Sequence, residues 1–218
     1  MVMILLATAL SQPALTLDPD AALAVIQDRA RSYEERPGCS VTVESTLRNG
    51  GDAETMELRW NHETEQWTWI TRKPEGQSQA QDSGPNDHYA DALQFALLDP
   101  RFETRDGDLL VFVQDELEPG SFDNDGQDMS KHVSARVMID VSGNEPRLAG
   151  YSVRLKKPFR MKMVAKINDF SLETRLRDQP GYGPVAERIE TAFDVRMMGR
   201  AQAADTTTQF KNYDCPAK

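Results

Sequence analysis

The chain has 218 residues, 39% hydrophobic and 28% charged, with Lys+Arg 25 against Asp+Glu 35 and a formal net charge of −10. That apolar share suffices for a core and argues against a disordered chain. The acidic balance repels phosphate backbones and anionic lipid headgroups, so nucleic acid is not an expected partner, and the stripe Arg154, Lys156, Arg160, Lys162 and Lys166 is the one local exception.

Met1 to Ala14 reads MVMILLATALSQPA. Its apolar run, Val2–Leu10, is too short to span a bilayer and has the length of a signal-peptide core, followed by small residues. No Lys or Arg precedes the run, a departure from the usual basic start. The expectation is a signal peptide over 1–14, a single β domain over 15–218, and a secreted or periplasmic chain. No later segment is apolar enough for a transmembrane helix.

Asp18-Pro19-Asp20 has the chemistry of a helix start, and Ala22, Leu23, Ile26, Ala30 and Tyr33 recur at helical spacing until Pro37-Gly38. Alternation of period two then takes over. Val41, Val43 and Leu47 lead to a turn at Asn49–Asp52. Met56, Leu58 and Trp60 form a second strand, and Trp67 and Trp69 head a third. Lys73–Pro85 is a Gln-, Ser- and Gly-rich loop. Asn86 or Asp87 caps a second helix with Tyr89, Ala90, Leu93, Leu97 and Leu98 on its apolar side, ended by Pro100. A turn at Arg105–Asp108 and an apolar strand at Leu109–Val113 come next. Glu116–Asp128 is an acidic loop.

From Val133 onward the pattern is almost wholly β. The longest stretch is Tyr151–Arg177. Tyr151, Val153, Leu155, Phe159, Met161, Met163, Ala165 and Ile167 alternate with Arg154, Lys156, Arg160, Lys162 and Lys166. The phase flips at Asn168-Asp169, which requires a turn or a bulge. A strand through Val185, Ile189, Phe193, Val195 and Met197 follows the turn at Gln179–Pro184. A turn over Gly199–Gln202 precedes a last strand through Thr206–Tyr213. Nine or ten strands and two helices predict a mainly β (α+β) fold: one large antiparallel sheet curved into a half-barrel, with both helices as lids. Cys39 and Cys215, the only cysteines, flank the first and last strands, and a disulfide between them is expected.

This order resembles the LolA/LolB-like family of periplasmic lipoprotein carriers and outer-membrane receptors. A long strand Tyr151–Leu155, the turn-like Lys156-Lys157-Pro158-Phe159 and Gly181-Tyr182-Gly183-Pro184 before two closing strands are similar to its local wording. The resemblance implies an open half-barrel whose concave, aromatic-lined face holds lipid or acyl chains. It assigns Met56, Trp60, Trp67, Trp69, Leu93, Leu97, Met161, Met163, Phe193 and Met197 to a ligand cavity. Ordinary core packing is the competing account of the same side chains.

No metal or catalytic motif names a chemistry. His62, His88 and His132 lack partners at ligand spacing and read as surface residues. Asp123–Asp128 carries calcium-loop chemistry, but Ser121 and His132 occupy ligand positions that need acids. No cofactor is implied. The leading expectation is a non-catalytic binding protein for a lipid, acyl chain or lipoprotein. One alternative is an interaction or sensor module that docks a protein on a sheet edge or on the basic stripe Arg154, Lys156, Arg160, Lys162 and Lys166. The other is a secreted hydrolase whose site the sequence hides.

Overall fold

Alternating apolar and polar residues cannot bury both faces of a strand, so the strands of this chain share one dry face. The computed structural model describes residues 17–50, 52–71, 85, 87–124, 127–161, 165–197 and 200–216. The elements in chain order are α1 (Pro19–Arg31), β1 (Ser40–Asn49), β2 (Asp52–Asn61), β3 (Gln66–Trp69), α2 (His88–Leu97), β4 (Arg101–Asp106), β5 (Leu109–Gln114), β6 (Asp123–Asn124), β7 (Gln127–Asp128), β8 (Val133–Asp140), β9 (Arg147–Leu155), β10 (Phe159–Met161), β11 (Ala165–Gln179), β12 (Gly183–Met197) and β13 (Arg200–Asp214).

Eleven strands form one antiparallel sheet in the order β3-β2-β1-β13-β12-β11-β9-β8-β5-β4, with β10 added to β11. The terminal strands β3 and β4 do not pair with each other, so the sheet stays open. Both helices lie over one face. Ala22, Leu23 and Ile26 of α1 and Ala92, Leu93, Phe95 and Ala96 of α2 share a core with Leu110, Phe112, Val133, Ala135, Val137, Ile139, Tyr151 and Val153. This core sits over β5, β8 and β9. A second, smaller cluster of Val41, Val43, Trp60, Ala186 and Phe210 lies on the β1–β2 side.

The expected disulfide is present: Cys39 is bonded to Cys215, 176 residues apart in sequence, joining the approach to β1 to the exit from β13. Asp87 is the α2 cap, its carboxylate accepting from the backbone N–H groups of Tyr89 (3.1 Å) and Ala90 (3.3 Å). Asp18 precedes α1 without a side-chain cap bond.

Several expectations are corrected. The alternation over Tyr151–Ile167 does not make one strand, and the chain breaks at the turn-like Lys156–Phe159. β9 ends at Leu155, Lys156–Pro158 turn, and β10 folds back onto β11 as a short hairpin. The phase flip at Asn168-Asp169 is a bulge within β11. Arg101–Asp106, expected to hold only the start of a turn, pairs with β5 as edge strand β4. The final strand begins at Arg200, inside the expected turn. In α2 the buried side is Ala92, Leu93, Phe95 and Ala96, and Leu97 points outward at 42% exposed. Residues 123–128 include the two-stranded hairpin β6–β7, and among the described residues no group of three His, Cys, Asp or Glu side chains is placed to hold a metal.

Curvature is set partly where β9 bulges between Leu148 and Gly150 opposite β8. At Gly150 the neighbouring β11 backbone comes so close that an added Cβ would stand 2.1 Å from the Thr174 carbonyl oxygen. Gly150→Ala is therefore expected to lower stability by about 1–3 kcal/mol, as overpacking against an immovable group does. Urea denaturation followed by circular dichroism measures it. An unchanged midpoint would mean that the two strands are free to separate there.

Candidate functional site

Residues directly opposite each other in an antiparallel pair point to the same face, so the register traces the inner side of the half-barrel strand by strand. Trp67 and Trp69 of β3 lie opposite Trp60 and Leu58 of β2. These continue through Val41, Val43, Ser45 and Leu47 of β1 to Phe210, Thr208 and Thr206 of β13. Ile189, Thr191, Phe193, Val195 and Met197 of β12 and Thr174, Leu172, Phe170, Ile167 and Ala165 of β11 carry the same face toward the helix-covered core. The inner floor is therefore apolar at both flanks and lined with hydroxyls in the middle, where Ser45 and Thr208 hydrogen-bond at 3.2 Å.

The helices do not cover all of it. α2 packs on β8, β9 and part of β12. Farther along β12, Phe193 is 36% and Met197 45% exposed, although both share the face that is core elsewhere. Near the disulfide, where β12 and β13 part beyond the Arg188–Gln209 pair, the same face opens into a cavity of about 290 Å³. Val41, Ala186, Phe210 and Tyr213 line its apolar side, and Arg36, Asp87, His62 and His88 its mouth.

Arg36, Asp87 and His88 at that mouth already have partners. Arg36 has only 9% of its side chain exposed and pairs with Asp87 at 3.1 Å. It donates to the Pro184 carbonyl (2.8 Å) and lies 4.6 Å from the Tyr182 ring centre and 4.9 Å from that of Tyr89. Such stacking suits the planar guanidinium better than a lysine ammonium. The Tyr33 hydroxyl donates to Asp87 as well. His88 is not the surface residue expected. Its Nδ1 sits 3.3 Å from both the Tyr151 hydroxyl and an Asp91 oxygen, and its ring meets Phe210 edge to face. His62 is exposed. His132 stacks on Phe159 at 3.8 Å, and burial together with Lys131, Lys156 and Lys157 lowers its pKa.

The residues assigned to a cavity thus fall into three groups. Trp60 and Leu93 are buried within the two cores. Met56, Trp67 and Trp69 are half-buried on the inner face, with Trp60 and Trp67 ring centres 5.3 Å apart. Leu97, Phe193 and Met197 are exposed. Only the backbone of Met161 is described, and Met163 and Lys162 lie outside the described residues. The basic stripe is not one strand face. Arg154 lies on β9 opposite Ser134 and Ser171, whereas Arg160 and Lys166 face each other across β10 and β11. Lys156 donates to the Asp115 carbonyl from the intervening turn.

No protein-family model, no curated protein and no solved structure matches the chain. Sequence reading missed Arg36 and its tyrosines, since nothing local marks an arginine that stacks on rings 50 and 150 residues away. It also missed the inner position of Phe210, Thr206 and Thr208, whose alternation with Lys211, Gln209 and Thr207 did carry the signal.

All five tyrosines lie at this end of the fold or beneath the lids, and burial raises every one of their hydroxyl pKa values. Tyr33 is pushed up to about 12, by burial first and by its bond to Asp87 second. The folded protein keeps these protons where the unfolded chain releases them. That contribution is complete below the ordinary tyrosine value of about 10 and fades as pH rises through the folded values. The urea midpoint is expected to fall between about pH 9 and pH 12, with tyrosinate absorbance appearing together with unfolding. Tyrosinate forming near pH 10 in the still-folded protein would contradict this.

Proposed function

We propose that the chain is a non-catalytic binding protein of an extracytoplasmic compartment that holds an acyl chain, lipid or lipid-modified protein segment on the inner face of its half-barrel. One observation supports this above others: Phe193 and Met197 stand exposed on the side of the sheet that carries the helix-covered core. Large apolar side chains left uncovered beside a core mark a surface that gains free energy when something apolar covers it. The gain is about 0.8 kcal/mol for each CH₂ removed from water, so a chain of several methylenes needs no special polar group to bind.

The 290 Å³ cavity near the disulfide is at the low end for a ligand pocket. It takes one end of such a molecule, and the remainder lies along the inner face of β12 toward Phe193 and Met197. Holding rather than chemistry also fits the polar groups at the mouth, where Arg36 is committed to Asp87, and His88 to Asp91 and Tyr151. The disulfide suits an oxidising compartment.

Titration with a long-chain fatty acid tests the reading, with tryptophan emission as the signal because Trp60, Trp67 and Trp69 share the inner face. A saturable blue shift is expected. Phe193→Glu with Met197→Glu should weaken binding at least about tenfold by placing carboxylates in the apolar path. The reading is overturned if emission does not respond and native mass spectrometry of protein purified from its own envelope finds no bound lipid.

A further inference from the structure

The far end of the sheet carries an arrangement that folding alone disfavours. Arg160 of β10 is directly opposite Lys166 of β11, and Lys166 is directly opposite Arg196 of β12. All three are exposed, and among the described residues none forms an ion pair. Directly opposed like charges destabilise a sheet. The neighbouring row shows that the charges are segregated. Asp169 lies opposite Asp194, two residues inward of Arg196 along β12. Exchanging one residue of each row would create two cross-strand ion pairs. The chain instead gathers cations at the outermost row and carboxylates behind it, in a protein of net charge −10.

The opposite side of the same strand ends is apolar. Ala165 and Ile167 are buried there, Val195 is half-buried, and Met197 is the most exposed of the large apolar residues on that side. This end of β11 and β12 thus presents cations on one face and apolar side chains on the other, where Arg200 of β13 stands opposite Met197. A soluble acidic partner seated on the outer face would meet the cations alone. A lipid surface reached end-on engages both, with phosphates against the cation row and methionine at the acyl boundary.

We propose that this end of the sheet docks on an anionic lipid bilayer, with Arg160, Lys166 and Arg196 contacting headgroup phosphates and Met197 entering the interface. The proposal shares Met197 with the reading of the inner face as a ligand site, but the observation that carries it is the outer-face charge row, which that reading does not use.

Co-sedimentation of the full chain with phosphatidylcholine vesicles, with and without phosphatidylglycerol, tests it. Binding is expected only with phosphatidylglycerol, weakening as salt shortens the screening length. Arg160→Glu, Lys166→Glu and Arg196→Glu together should lower partitioning by at least about tenfold. The same reversal at Arg31, Arg101 and Arg105, which changes net charge equally elsewhere, should lower it far less. Replacing the three row residues with Gln removes the mutual repulsion, so the urea midpoint should rise while vesicle binding falls. The fatty-acid titration should be unaltered in both row variants, which separates this proposal from the ligand reading. Absence of binding to either vesicle, or binding that the row variants leave unchanged, overturns it.

Discussion

Arg36 is the joint between the helices and the sheet. It lies in the segment that connects α1 to β1, and its guanidinium reaches Asp87 at the α2 cap and the Pro184 carbonyl at the start of β12. Tyr89 and Tyr182 stack on it from α2 and from the β11–β12 turn. Asp87 in turn caps α2 and accepts from Tyr33 just after α1. Close by, the Tyr182 hydroxyl donates to the Pro37 carbonyl beside the disulfide. One buried cation therefore fixes where both lids sit. Through them it fixes which half of the inner face is core and which half remains open.

That division explains how one face of a sheet can serve as core and as binding surface. Over β5, β8 and β9 the apolar side chains meet helix side chains. Along β12 the same alternation continues after helical cover has ended, and Phe193 and Met197 are left without a lid. Nothing in the local sequence of β12 distinguishes the two regimes. The difference arises because a 15-residue strand, roughly 50 Å long, outruns the helices above it.

Strand positions followed from period-two alternation, as at Val41–Leu47 and Val133–Ile139, and the disulfide from two cysteines at the flanks of the first and last strands. The break at Lys156–Pro158 was legible in its Lys-Lys-Pro wording, although Leu155, Phe159 and Met161 keep the alternation in phase across the turn. The edge strand Arg101–Asp106 was hidden by its polarity, since an edge strand with little burial has no apolar rhythm to show. The buried side of α2 was misjudged because Leu93, Leu97 and Leu98 and the true stripe of Ala92, Leu93, Phe95 and Ala96 overlap on a helix that is apolar nearly all round. Arg36 and the cation row depend on which strands become neighbours. Arg196 meets Lys166 only because β11 and β12 pair in one register, and no reading of either strand alone reveals that.

The order of strands also bears on how the chain reaches this state. From β4 to β13 the main path of the sheet is laid down largely in chain order, each new strand adding to the edge left by an earlier one. β1 is different: its partner β13 is the last strand to emerge. During synthesis the first hairpins therefore wait, with one side of β1 bare, until every other strand of the sheet has been made. Such long-range closure is slow, and a bare strand edge is prone to pair with another copy in the meantime. Assembly of this protein has its most vulnerable interval at the very end, just before the final strand slides into the gap.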